Sequence, residues 1–130
     1  HPLLLDALPD LADELSAFLN RGGATELATQ VSSLRLVDRC RCGDDFCTTL
    51  YTAPKPIEAY NPNHETFPLD SSSGELILDL VDGKIVCVEI LFREDLRSRV
   101  LKLFPQLRHV SKSPKQAIAL NESFGHCPKT

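Results

Sequence analysis

The chain predicts an α+β domain: an antiparallel sheet built from two β-hairpins, preceded by N-terminal helices and covered by one C-terminal helix. Three observations carry this expectation. Apolar residues recur at helical spacing over residues 9–20 and 93–104. Two apolar, β-branched runs meet at Asp82-Gly83, a two-residue hairpin signal. A second strand-turn-strand pattern surrounds Gly43-Asp44-Asp45. At 130 residues, with 42% hydrophobic and 25% charged, the chain has room for one domain, and its ordinary composition excludes coiled-coil, collagen-like and wholly disordered classes. We expect the domain in residues 1–105 and a basic, weakly structured tail in residues 106–130.

The first helix is read from Leu11, Ala12, Leu15, Phe18 and Leu19, with Pro9 and Asp10 suited to its first turn and Gly22 or Gly23 to its stop. A shorter helix over residues 25–31 places Leu27, Ala28 and Val31 on one face, and Ser32 and Ser33 end it. From Leu34 the period changes to two, with Leu36, Cys40 and Cys42 on one side and Arg35, Arg39 and Arg41 on the other. Val37 and Asp38 spoil strict alternation. Residues 46–52 read as the returning strand. A four-residue turn through residues 43–46 sets Cys42 opposite Cys47, and a three-residue turn sets it opposite Phe46.

Residues 53–64, with Pro54, Pro56 and Pro62, are a loop. Residues 65–69 suit a short strand that Pro68 confines to a sheet edge, and residues 70–74 are a polar break. Residues 75–81 and 84–92 flank the Asp82-Gly83 turn, which should be type I′. Simple pairing across it sets Leu80 opposite Ile85, Leu78 opposite Cys87 and Ile77 opposite Val88. Both faces then look largely apolar, as in strands covered on both sides. In residues 93–104 an apolar stripe of Leu96, Val100, Leu103 and Phe104 leaves Arg93, Arg97, Arg99 and Lys102 facing water, and Pro105 ends the helix.

The net charge of −4 disfavours a general nucleic-acid binder, because phosphate neutralisation needs clustered Lys and Arg. The charge is also uneven. Residues 44–91 carry nine acids against Lys55 and Lys84, whereas residues 93–130 carry eight bases against Glu94, Asp95 and Glu122. Such a field serves steering and partner choice. Glu89 interrupts the most hydrophobic run, so no membrane span is expected. Residues 1–20 lack the basic start and long apolar block of a signal peptide. Of five cysteines, Cys40, Cys42 and Cys47 crowd into eight residues, which suits reduced thiols better than a secreted disulfide framework. The expected compartment is the cytosol.

Residues 74–91, Gly-Glu-Leu-Ile-Leu-Asp-Leu-Val-Asp-Gly-Lys-Ile-Val-Cys-Val-Glu-Ile-Leu, resemble the strand, Asp-Gly turn and strand of a family of small bacterial domains of unknown function. Residues 39–52, Arg-Cys-Arg-Cys-Gly-Asp-Asp-Phe-Cys-Thr-Thr-Leu-Tyr-Thr, resemble uncharacterised bacterial proteins of similar length, some associated with immunity proteins of contact-dependent growth inhibition systems. The resemblance implies a non-catalytic binding role and carries no catalytic residue over.

Each candidate site has a plainer reading beside it. Three thiols on one face would make most of a zinc site, with His64 or Cys87 as the fourth ligand, but free cysteines are commonly buried small hydrophobes, and that is the reading adopted. No metal or cofactor is assigned. A Cys47–His64 nucleophile lacks an orienting third group, and the motifs of the common enzyme classes are missing, so no reaction is assigned. A cysteine-dependent enzyme and a small zinc-stabilised module stand as alternatives. The leading expectation is an immunity protein that neutralises a basic toxin, a nuclease, by covering its active site. Asp44, Asp45, Glu58, Glu65 and Asp70 would supply the acidic surface and Tyr51 and Tyr60 the aromatic anchors.

Overall fold

The computed structural model describes residues 1–55, 62–69, 71 and 73–105. Within them the chain is α+β. Helices α1 (Leu4–Ala7), α2 (Pro9–Arg21) and α3 (Thr25–Val31) come first; strands β1 (Asp38–Arg39), β2 (Leu50–Tyr51), β3 (His64–Leu69), β4 (Glu75–Val81) and β5 (Lys84–Leu91) follow; helix α4 (Glu94–Leu103) closes the order. The strands form one antiparallel sheet in the order β1-β2-β5-β4-β3. No helix among the described residues is long and apolar enough to cross a membrane.

Local chemistry accounts for most of these elements. Pro9 occupies the first turn of α2 and Arg21 the last, where a fixed φ and a cation respectively suit a helix. Pro68 lies in β3, which among the described residues pairs only with β4 and so forms a sheet edge, where a missing N–H costs no ladder bond. Asp82 and Gly83 both take positive φ, 54° and 79°, as a type I′ turn requires. Gln30 of α3 clamps that turn: its side-chain amide donates to Gly83 O at 2.9 Å and its amide oxygen accepts from Ile85 N at 2.9 Å.

The main core lies between the helices and one face of the sheet. Leu4, Leu8, Leu11, Leu15 and Leu19 meet Leu50, Leu76, Leu78, Val88 and Ile90 from the sheet, and Leu96 and Val100 from α4. Burying a side chain of this size contributes about 2 kcal/mol, so this layer carries the bulk of the stability. Two bidentate arginines tie α4 and its approach to α2. Arg93 donates to Glu14 and Asp95 at 2.9–3.0 Å, and Arg99 donates to Asp10 at 2.7 and 2.9 Å.

Four expectations are corrected. The first hairpin has only two-residue strands, and residues 40–49 run as a folded loop between them. Arg93 does not face water; it is buried against Glu14 and Asp95. Pairing along β4 and β5 shifts by one residue past Leu80, so that Asp79 faces Cys87, Leu78 faces Val88 and Ile77 faces Glu89. The cause is a β-bulge at Val86, which inserts into β5 one residue with no counterpart on β4, its carbonyl accepting instead from Thr52 N at 3.0 Å. Finally, the second sheet face is not simply apolar, because the bulge gathers Cys87, Glu89 and Asp79 there, all buried.

Candidate functional site

The sheet face away from the helices holds a second buried cluster of Cys40, Cys47, Tyr51, Cys87 and Leu91, with Cys42 and Val86 packed against it. Its cysteines come together through the β1–β2 pairing. Asp38 faces Tyr51 and Arg39 faces Leu50, and Cys40 N donates to Thr49 O at 2.8 Å. That register is the one in which Cys42 comes opposite Cys47. Gly43, at φ 85°, turns the chain where a side chain would strain it, and Cys47 N closes the loop by donating to Asp44 O at 3.2 Å. The three Sγ atoms of Cys40, Cys42 and Cys47 lie within 4.8 Å of one another.

Polar groups surround these sulfurs. The Cys47 thiol donates to Thr49 Oγ1 at 3.4 Å and the Cys42 thiol to Asp44 Oδ2 at 3.6 Å. Arg39 and Arg41 alternate with the cysteines and are held in place. Arg39 Nε donates to Phe104 O at 2.6 Å, and Arg41 donates to Asp38 Oδ1 at 2.9 Å and to Pro105 O at 3.3 Å. Cys87 is different. Burial, reinforced by Asp79 and Glu89, pushes its thiol well above the ordinary value of 9.0. It stays protonated, the reverse of an activated nucleophile.

His64 belongs to neither the thiol group nor a Cys47–His64 pair. It sits on the edge strand β3, and its Nε2–H donates to Asp79 Oδ1 at 2.8 Å. With β5 and β4 lying between β2 and β3, Cys47 and His64 are separated by on the order of 20 Å from strand spacing and rise alone. The described geometry therefore brings no thiol and imidazole together in that pair. Cys87 shares the buried cluster but falls outside the three-thiol group.

The expected acidic surface divides in two. Asp44 and Asp45 are exposed at the tip of the β1–β2 loop, beside the C-terminal end of β5, where Phe92 N donates to Phe46 O. Glu65 is exposed on β3, opposite Leu80, at the diagonally opposite corner of the sheet. Tyr51, expected as a surface anchor, is only 2% exposed and packs inside the cysteine cluster, because its strand is covered on both sides by neighbours. Glu58, Tyr60 and Asp70 lie outside the described residues, as does the tail over residues 106–130.

Two aromatic residues that the sequence reading passed over mark the acidic corner. The rings of Phe46 and Phe92 stack with centroids 4.9 Å apart and planes 17° from parallel. Both are exposed, Phe92 to 58%. Phe92 also holds φ at 60°, a left-handed conformation that is a genuine outlier for a bulky side chain. It lets the chain turn from β5 into α4. Arg97 on α4 grips the adjoining loop, donating to Asp45 O and lying 3.7 Å from the Asp45 carboxylate. The sequence signal was available only in hindsight: two Phe next to charged residues look like core until the register puts them side by side at the rim.

Comparison of the chain with models of known protein families, with curated proteins and with solved structures yields no match. Function is therefore read from the site itself.

Proposed function

We propose that this chain is a non-catalytic protein-binding domain whose contact surface centres on Phe46 and Phe92 and is rimmed by Asp44 and Asp45. The observation that supports this reading most is the stacked, exposed aromatic pair, one ring of which is carried on a strained backbone. Strain of ~1–3 kcal/mol persists where the surroundings impose it, and it concentrates at functional sites. Exposed aromatics beside charged groups match the anatomy of an interface anchor with a polar rim. The two carboxylates select a basic partner, and complementary charge speeds its association.

The narrower reading is an immunity protein that covers the active site of a basic toxin, a nuclease, in the cytosol. It rests on the resemblance of residues 39–52, on the acidic loop they contain and on the crowding of thiols that a reducing compartment tolerates. The acidic surface it requires is smaller than five carboxylates, since Glu65 lies away from this corner.

A photocrosslinking residue placed at position 92 in the source cell tests this, with one at exposed Ser33 as control. The expected result is capture, from position 92 alone, of a protein of pI above about 9. Its nuclease activity should be abolished by one equivalent of this chain and restored when the chain carries Asp44→Ala, Asp45→Ala and Phe92→Ala. An acidic captured protein, equal capture from both positions, or inhibition that survives the triple substitution would overturn the proposal.

A further inference from the structure

We propose that Cys40, Cys42 and Cys47 form a structural zinc site that pins the β1–β2 loop. Three sulfurs within 4.8 Å are close to what zinc needs. A tetrahedral centre with Zn–S bonds of about 2.3 Å places its sulfurs about 3.8 Å apart, so closing the site takes side-chain adjustments of an ångström or less. The backbone is already arranged for it, with two ligands from the outgoing limb, one from the returning limb and Gly43 at the bend.

The competing explanation is that these are small buried apolar residues. It fits Cys87, which is fully buried and outside the group. It fits the trio poorly, for three reasons. Their sulfurs converge on one another, which apolar packing does not require. Cys42 is only partly buried, and its thiol addresses a carboxylate. Thr49 Oγ1 already accepts from Ile90 N at 3.0 Å, so its own O–H is free to turn toward Cys47 Sγ, 3.4 Å away, and to donate to a thiolate. Partners of this kind orient and stabilise metal ligands.

Charge also balances. Three thiols binding one Zn²⁺ release three protons and leave a net charge of −1 on the centre, and the fixed guanidiniums of Arg39 and Arg41 flank it in sequence. No electron transfer is involved. The fourth position takes an oxygen, nitrogen or sulfur donor; among described oxygen donors the Asp44 carboxylate is near, at 3.6 Å from Cys42 Sγ. The site is independent of any partner protein, although the loop it would pin carries Asp44, Asp45 and Phe46.

The test uses the full chain, reduced and freed of metal with a chelator, then titrated with Zn²⁺ or with Co²⁺ as a visible probe. The expected result is one equivalent bound, proton release, tetrahedral Co²⁺ bands and thiolate-to-metal charge transfer. Cys40→Ser, Cys42→Ser or Cys47→Ser should weaken binding at least tenfold, and Cys87→Ser should not. Because a serine variant can unfold, a second measurement uses the unaltered protein: zinc should protect Cys40, Cys42 and Cys47 from alkylation, read residue by residue by mass spectrometry. Protection of those three, with or without a fourth residue, supports the site. Less than about a tenth of an equivalent bound, octahedral Co²⁺ without charge transfer, or no zinc-dependent protection of the trio would overturn it.

Discussion

The two faces of the sheet are built from different chemistry. On the helix side, leucine, isoleucine and valine from β2, β4 and β5 meet leucines from α2 and α4, and nothing there needs a specific partner. On the other side the buried residues, among those described, include Cys40, Cys47, Tyr51, Cys87, Leu91, Asp79 and Glu89, most of which carry a polar atom. The first face gives stability through area removed from water. The second depends on pairing, since a buried carboxylate or thiol is tolerated only in a suitable setting. A substitution should therefore cost according to volume on one face and according to chemistry on the other.

The sharpest break in that contrast is expected from neighbouring residues of β4. Leu78→Ala, on the helix side, should cost about 3 kcal/mol through lost burial and the cavity left behind, measured by urea denaturation. Asp79→Ala removes little volume but deprives His64 Nε2 of its carboxylate, and should cost about 2 kcal/mol. A double-mutant cycle with His64→Ala should recover most of that as coupling. Additive effects would mean that the polar face behaves like the apolar one.

A third test exploits Cys87. Above pH 9.0 the unfolded chain loses this proton, while burial beside Asp79 and Glu89 makes the folded chain keep it. The unfolded state then binds fewer protons, so stability should fall as pH rises, by at most about 1.4 kcal/mol per pH unit from this group. Denaturation between neutral and alkaline pH should show a shallower decline in Cys87→Ala. The smallest effect is expected outside both faces. Asp10→Asn should cost less than ~1 kcal/mol, because its bond to Arg99 is largely solvent-exposed. Arg99 holds the Asp10 carboxyl below its ordinary 3.8. That contribution is complete above the ordinary value and vanishes as pH falls through the lowered one, so variant and parent should converge in acid.

What could be read from sequence follows the same division. Helices α2, α3 and α4 and the Asp82-Gly83 turn announce themselves through apolar spacing and turn chemistry, which are local. So does Pro68 at a sheet edge. The bulge at Val86 is not local: it is favoured because Val88 and Ile90 fit the helix-side layer, which becomes evident only once that layer exists. The same holds for the burial of Arg93, whose salt bridges reach back to Glu14 on α2, and for the pairing of His64 with Asp79. Of the candidate surface, Asp44 and Asp45 were legible as a polar turn. Phe46 and Phe92 were not, because their adjacency spans β5 and a left-handed turn.

The extra residue at Val86 acts as a phase shift in the alternation of β5. Were the strand to continue in step from Ile85, Cys87 and Glu89 would rotate into the leucine layer and Val88 and Ile90 would be delivered among the thiols. A single surplus amino acid, held out of step, thus sorts which half of the strand's alphabet each side of the molecule receives: straightening the bulge with Val86 retained would exchange the two inventories, whereas deleting Val86 would leave each side as it is.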